Sequence, residues 1–123
     1  MPAVVRAFGP ALVWAVAVWL IGGLRSTPTV PGGLGLDKFA HFLMYGLLGF
    51  LLARGWTQVR WRGAWLLPTL AALLLGVADE VRQQAVPGRS AELADWFADF
   101  AGASTGVFIA LRSARGRRTD ERA

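Results

Sequence analysis

A short segment of the sequence, LDKFAHFLMY at residues 36–45, holds the only lysine, the only histidine and the only tyrosine of the chain. Twelve arginines supply every other basic side chain. Asp37, His41 and Tyr45 are spaced four residues apart, so they lie on one face of a helix. A carboxylate, an imidazole and a phenol on one face are suited to hydrogen bonding with a polar ligand, to proton transfer or to metal binding.

Two further stripes of polar side chains occur at helical spacing in the second half of the chain. They comprise Glu80, Gln83 and Gln84 in one segment, and Asp95, Asp99 and Gly102 in the next. The last stripe continues through Gly106 as a face of small residues that allows close helix packing. Each feature also has a plain structural explanation, since Asp37 fits the N-cap of a helix and a lone histidine is commonly a hydrogen-bonded core residue.

The elements that position these stripes are predicted to be membrane-spanning helices. The chain has 123 residues, of which 54% are hydrophobic and only 17% charged. Residues 7–24 contain no charged side chain, and a helix of about 20 apolar residues crosses a hydrocarbon core of about 30 Å. This run is long for the apolar region of a signal peptide, and more apolar sequence follows it. We therefore predict a first transmembrane helix near residues 4–24.

Three shorter apolar runs reach the length of a span only when each is extended across its polar end. The charge-free runs cover residues 42–53, 63–78 and 100–111. The extended helices are expected near residues 37–54, 63–84 and 92–112. They carry the polar stripes within the thickness of the membrane. The predicted fold is all-α, a four-helix transmembrane bundle that forms a single domain over residues 1–112, followed by a basic cytoplasmic tail over residues 113–123.

The placement of arginine sets the predicted orientation in the membrane. The second connection carries Arg54, Arg60 and Arg62 without an acid, and the tail is rich in arginine. Because basic residues next to spans stay on the cytoplasmic side, both termini are predicted to be cytoplasmic. The polar stripes then face the outside of the membrane in a multi-pass protein. The net charge of +5 comes mostly from the tail, which favours contact with anionic lipid headgroups over nucleic acid.

Carboxylates at membrane depth are costly, by about 2.5–3.5 kcal/mol each at mid-bilayer. The arrangement of lowest energy has the three stripes facing one another. Lys38, Arg82 and Arg89 would then neutralise Asp99, Glu80 and Asp95. A bundle with a purely structural role would be more stable without five carboxyl groups at this depth. We therefore predict a polar pocket that opens outward.

The segments DKFAHFLMYGLLGFLLA and ADEVRQQAVPGRSAELADWFADFAGASTG resemble the VanZ-like family of small bacterial membrane proteins. The family pattern is Asp-Lys-x-x-His, Glu-x-x-Gln, Pro-Gly-Arg, an Asp six residues after the Arg, and then Asn or Asp with Gly. The matching positions are Asp37, Lys38, His41, Glu80, Gln83, Pro87, Gly88, Arg89, Asp95, Asp99 and Gly102. The resemblance covers residues 35–106 and differs from the family in having Asp99 where Asn is frequent. It implies resistance to teicoplanin, a lipid-bearing glycopeptide antibiotic, which is the phenotype of the family's namesake.

The favoured hypothesis is a binding protein whose pocket engages a cell-envelope lipid, a lipid-linked cell-wall precursor or a lipoglycopeptide. Lys38, Arg82 and Arg89 would bind phosphate, and the two arginines are suited to bidentate contacts with it. The predicted ligand-binding residues are Asp37, Lys38, His41, Tyr45, Glu80, Gln83, Arg89, Asp95 and Asp99. Membrane lipids are the other expected partners. The oligomeric state is left open, because Gly102 and Gly106 suit packing within or between bundles equally well.

Two alternatives belong to other classes of protein. In an intramembrane hydrolase or transferase, the candidate catalytic residues are His41, Glu80 and Asp99. His41 or Glu80 would act as general base, or Asp37, His41, Glu80 and Asp99 would hold a divalent metal that activates water. The chain has one histidine, no cysteine and no HExxH spacing, so we predict neither a metal site nor another cofactor. In a small transporter, the buried acids would relay protons. Four short helices, however, lack the paired broken helices of secondary transporters.

Overall fold

The computed structural model describes residues 2–23, 35–85 and 93–120, with side chains up to residue 117. Within those ranges the chain forms four α-helices and no strand, so the predicted all-α class is confirmed. The helices are α1 (Ala3–Gly22), α2 (Leu36–Gln58), α3 (Leu67–Gln84) and α4 (Leu93–Asp120). By length and composition, α1 and α2 are long and apolar enough to cross a membrane.

Helices α2, α3 and α4 have ends that differ from the expected ones, and α2 continues to Gln58 rather than ending near residue 54. Helix α3 begins at Leu67 rather than near residue 63, because Gly63 takes a positive φ of 76° and a turn follows it. Pro68 then occupies the first turn, where its missing N–H removes no helical hydrogen bond. Helix α4 continues to Asp120, so it includes most of residues 113–123, the segment predicted to be a basic tail.

Helix α2 begins after a glycine rather than at a capping side chain. Its N-cap is Gly35, whose φ of 71° lies in the left-handed region that favours glycine. The prediction that Asp37 caps this helix is therefore wrong. Asp37 lies in the first turn, where the positive end of the helix dipole stabilises an acid, and its carboxylate contacts Lys38 at 2.7 Å.

Helices α2 and α4 approach so closely that their backbones touch. A Cβ atom added to Gly102 would collide with the carbonyl oxygen of Phe42, and one added to Gly106 would collide with that of Gly46. Glycine is therefore required at both positions of α4, since any side chain would force the two helices apart. The small-residue face of α4 is thus used for packing within the bundle.

Helix α1 packs against α2 near its N-terminus and at its middle. The indole Nε1 of Trp14 donates a hydrogen bond to the carbonyl oxygen of Met44 at 2.8 Å. Towards the N-terminus of α1, the ring of Phe8 lies 5.6 Å from that of Trp56 and 5.4 Å from that of Trp61, between centroids. The largest apolar core of the described chain consists of Val18, Tyr45, Leu48, Ala72 and Ala103. The core is therefore small, and it contains at least one residue from each of the four helices.

The distribution of side chains is inverted relative to that of a water-soluble bundle, in which acids are rarely buried and large apolar surfaces are rarely exposed. Large apolar side chains are exposed on all four helices. Examples are Leu12 and Val13 of α1, Leu43 of α2, Leu74 of α3, and Phe97 and Phe108 of α4. The buried polar side chains among the described residues are His41, Thr69, Asp79, Glu80, Gln83, Asp95 and Asp99. The helices thus turn polar groups inward and apolar groups outward.

Candidate functional site

Most of the buried polar side chains meet at one end of the bundle, between α2, α3 and α4. We call this group the polar cluster. It consists of His41 and Tyr45 of α2, Asp79, Glu80 and Gln83 of α3, and Asp95 and Asp99 of α4. Gly76 of α3 makes room for it, because a Cβ atom there would lie 3.0 Å from the Asp99 carboxylate and 3.4 Å from the Tyr45 ring.

His41 and Asp99 join α2 to α4 inside the polar cluster. The imidazole Nδ1 lies 2.8 Å from Asp99 Oδ1, and Asp99 is only 1% exposed. The Tyr45 ring lies parallel to the imidazole, with 6.4 Å between centroids. When Nδ1–H is donated to Asp99, a neutral imidazole presents the lone pair of Nε2. The pair therefore orients His41 and leaves one ring nitrogen for a ligand or a proton.

Asp79 is paired through both of its oxygens by side chains of its own helix. Arg82 Nη2 lies 2.5 Å from Asp79 Oδ1, and Gln83 Nε2 donates to Asp79 Oδ2 at 2.8 Å. The same arginine nitrogen donates to the carbonyl oxygen of Trp19 in the last turns of α1, and the guanidinium lies 4.3 Å from the centre of the Trp19 ring. These contacts link α3 to α1 and place a cation at the negative end of the α1 dipole.

Lys38 lies at the rim of the polar cluster, with its side chain 35% exposed. Its Nζ is 2.7 Å from Asp37 Oδ2 and 3.3 Å from Asp95 Oδ1, so it connects α2 to α4. The Asp37 side chain is 59% exposed and therefore belongs to the rim as well. Lys38 and Arg82, the cations described at this end of the bundle, are thus both bound to acids.

Glu80 is the acid of the polar cluster whose two carboxylate oxygens both lack a partner in the part of the chain that the structure describes. The residue is 9% exposed, yet neither of its carboxylate oxygens has a hydrogen-bond partner among the described residues. The buried hydroxyl of Tyr45 also lacks one there. Leaving a buried polar group unpaired costs about 1–3 kcal/mol, and more for a charged group. The polar cluster therefore has hydrogen-bonding capacity that a ligand would use.

Glu80 also lies near two other side chains of the kind that bind metal ions. One ligand atom from each of His41, Glu80 and Asp95 lies within 4.8 Å of the other two, and all three residues are buried. Sequence spacing did not indicate this group, because its members come from three different helices. These three side chains are the ones in the described chain that are placed to hold a metal ion.

The structure places the predicted site residues in three groups. Those inside the polar cluster are His41, Tyr45, Glu80, Gln83, Asp95 and Asp99. Asp37 and Lys38 form its rim. Arg89, together with the Pro-Gly pair before it, lies outside the described residues. The roles of these residues in binding or catalysis stay predictions.

One member of the cluster was not among the predicted site residues. Gln84, assigned to the inward stripe of α3, is exposed, and Asp79 faces inward instead. The sequence contains a signal for this arrangement, because Asp79 follows Gly76 by three residues and Ala72 by seven, which is helical spacing. Both of these small residues are buried on the inner face of α3.

Comparison with known proteins bears on the family of the chain. No curated protein and no solved structure matches the chain. A family model described as VanZ/LLP1 matches residues 5–114, which is most of the chain and includes every residue of the polar cluster and its rim. The chain therefore belongs to the VanZ-like family.

Proposed function

We propose that the protein spans the bacterial cytoplasmic membrane four times, with both termini in the cytoplasm and the polar cluster near the outer surface. All four helices expose large apolar side chains. The 18 residues of α3 make a helix about 27 Å long, close to the thickness of a hydrocarbon core. Its acids face the bundle interior, where proteins in lipid keep them. The arginines after α2 lie at the end away from the polar cluster, which favours this orientation.

The polar cluster, in this proposal, binds the headgroup of a cell-envelope lipid, a lipid-linked cell-wall precursor or a lipoglycopeptide, and thereby contributes to teicoplanin resistance. The observation that carries the proposal is Glu80, a buried carboxylate neither of whose oxygens has a partner among the described residues. It lies beside His41 and near the Tyr45 hydroxyl, which also lacks a described partner. A bundle that only has to hold together is as stable or more stable with an apolar residue in such a place. The presence of the carboxylate therefore supports a binding role.

The charge distribution favours a ligand that donates hydrogen bonds to the acids. Lys38 and Arg82 are each bound to acids, so a phosphate would have to compete with those ion pairs. Amine and hydroxyl groups of a headgroup or a sugar complement the carboxylates of Glu80 and Asp95 instead. Arg89, in the connection that leads to α4, remains the expected contact for a phosphate.

The experiment that tests this proposal measures teicoplanin and vancomycin susceptibility in a sensitive host at matched membrane levels of the protein. The wild type is expected to protect against teicoplanin, and the Glu80→Gln and His41→Ala variants are expected not to. Gln84→Ala is the matched control, because Gln84 is exposed on α3 about one turn from Glu80. Full protection by Glu80→Gln would contradict the assignment to the polar cluster. No protection by the wild type would remove teicoplanin from the proposal.

A second candidate function, an intramembrane hydrolase or transferase, is favoured by the His41–Asp99 pair. A buried imidazole held at 2.8 Å by a carboxylate has the arrangement of a general base and the group that orients it. His41 would accept a proton from the water or alcohol that attacks an envelope lipid. The test is conversion of defined envelope lipids by the purified protein in vesicles. Turnover by the wild type and none by His41→Gln would favour the enzyme, whereas binding without turnover would exclude it.

A further inference from the structure

Three buried side chains from three helices bring together the kinds of atom that bind a divalent metal ion. His41 of α2, Glu80 of α3 and Asp95 of α4 each offer one ligand atom, and these atoms lie within 4.8 Å of one another. Zinc binds imidazole nitrogen and carboxylate oxygen at about 2.0–2.2 Å, so tetrahedral ligands lie about 3.4 Å apart. Small side-chain rotations would therefore close the three atoms around an ion.

The lack of hydrogen-bond partners for Glu80 and for one oxygen of Asp95, among the described residues, gives an independent reason to expect a cation at this position. Glu80 is about nine-tenths buried, and neither of its oxygens has a hydrogen-bond partner among the described residues. Asp95 Oδ1 likewise makes no hydrogen bond there, and its one described cation is Lys38 at 3.3 Å. Lys38 keeps Asp37 as a closer partner, at 2.7 Å, so Asp95 can turn to a metal ion without leaving the ammonium unpaired.

The surroundings of His41 match those of a metal-binding histidine. Such residues commonly donate their second ring N–H to a carboxylate, which fixes the tautomer and the ring orientation. Asp99 holds Nδ1 of His41 at 2.8 Å in this way, and Asp99 is itself almost fully buried. Nε2 is therefore the nitrogen available to an ion, and Asp99 is the positioning residue behind it.

We infer that His41, Glu80 and Asp95 bind one divalent transition-metal ion, Zn²⁺ or Mn²⁺. A neutral imidazole and two carboxylates balance the charge of a divalent ion. One nitrogen and two oxygens suit these metals better than Mg²⁺, which prefers oxygen ligands and keeps several waters. Three protein ligands also leave a coordination position open.

An open coordination position would extend the proposed headgroup binding. Lys38 and Arg82 are bound to acids, whereas a metal ion with an open position accepts an anionic oxygen directly. This step rests on the proposed function and changes its ligand group. With the ion bound, Glu80 and Asp95 no longer accept from an amine or hydroxyl group, and a phosphate or carboxylate oxygen takes the open position instead. The metal site itself does not depend on it, because metal binding is measured without lipid or antibiotic.

The test uses the full-length protein, purified in detergent without a histidine tag and stripped with a chelator. Zn²⁺ and Mn²⁺ are added, and bound metal is measured by elemental analysis after desalting and by titration calorimetry. The wild type is expected to hold about one ion per chain, Glu80→Gln and Asp95→Asn are expected to lose it, and Gln84→Ala is expected to keep it. Asp99→Asn is expected to bind about 10–100-fold more weakly, because it alters only the positioning residue.

Two further measurements test the metal site if one of the variants folds poorly. Co²⁺ bound by the folded wild type is expected to give visible absorption bands, which Zn²⁺ then removes. Zn²⁺ is also expected to raise the Tm of the wild type and not that of Glu80→Gln, because an ion that binds only the folded state stabilises it. Absence of a stoichiometric ion in the folded wild type would overturn the site, and so would equal binding by folded Glu80→Gln. Either result would leave the headgroup proposal standing.

Discussion

Asp79 and Glu80 are neighbours in the sequence and are both buried on α3, yet their surroundings are opposite. Asp79 uses one oxygen to bind a guanidinium and the other to accept from an amide. Glu80 has no hydrogen-bond donor for either oxygen among the described residues. Burial alone therefore does not distinguish an acid that supports the fold from one that is available to a ligand. The partners of the carboxylate make that distinction.

The difference follows from the direction in which each side chain leaves the helix. One residue turns an α-helix by about 100°, so the two acids point to different neighbours. The Asp79 carboxylate lies against the C-terminal turn of α1, next to Gly22. The Glu80 carboxylate lies between α2 and α4, next to His41 and Asp95. Substitutions are therefore expected to affect stability at Asp79 and ligand binding at Glu80.

Asp79→Ala is expected to cause the largest loss of stability. It leaves Arg82 with the Trp19 carbonyl but no carboxylate. Breaking a buried ion pair in this way costs about 3 kcal/mol, at the low end of the usual range because the Arg82 side chain is 28% exposed. The measurement is the free energy of unfolding in micelles, followed by the fluorescence of the six tryptophans.

A double variant, Asp79→Ala with Arg82→Met, separates the loss of the pair from the penalty of an unpaired cation. Because it removes both charges, it is expected to recover much of the stability that the single variant loses. If Asp79→Ala is as stable as the wild type, Asp79 does not stabilise the fold. The proposed difference in structural role between Asp79 and Glu80 is then wrong.

Gly102→Ala is expected to cause a loss of about 1–3 kcal/mol, the usual cost of overpacking. The added methyl group would meet the carbonyl oxygen of Phe42 and push α2 away from α4. Because Phe42 follows His41 directly, the His41–Asp99 bond would lengthen too, so metal binding is expected to weaken along with stability. Gly116→Ala is the control in the same helix, since nothing lies within 4 Å of a Cβ atom there. Equal stability of the two variants would show that the α2–α4 contact is looser than the structure has it.

The sequence was sufficient to predict four helices and most of the faces that carry polar side chains, because both follow from local periodicity and apolar length. His41 and Tyr45 share a face of α2 through spacing alone, and Asp95 and Asp99 share one of α4. The start of α2 after the left-handed Gly35 is predicted to within one residue, whereas the left-handed Gly63 and the turn after it displace the start of α3 by four residues.

The pairing of acids with cations was not predictable, because it depends on how each helix is rotated about its axis. Lys38 and Arg82, with Arg89, are expected from the sequence to neutralise Asp99, Glu80 and Asp95, without Asp79. In the structure, Lys38 contacts Asp95 and Arg82 contacts Asp79, and Glu80 is left without a described partner. Periodicity could not separate the two neighbouring acids of α3, whose roles differ through contacts with other helices.

Glu80→Gln is expected to change stability least while removing metal binding. In the presence of a chelator, the amide replaces a buried carboxylate that has no partner among the described residues. The free energy of unfolding is therefore expected to stay the same or to rise by about 1 kcal/mol. With Zn²⁺ the wild type is expected to have the higher free energy of unfolding, because the ion stabilises only the wild type and not Glu80→Gln. Unfolding of Glu80→Gln and Asp79→Ala, each with chelator and with Zn²⁺, therefore compares the two acids directly. If Glu80→Gln loses as much stability as Asp79→Ala in chelator, Glu80 is paired in the folded protein, and neighbouring acids on α3 then share one structural role.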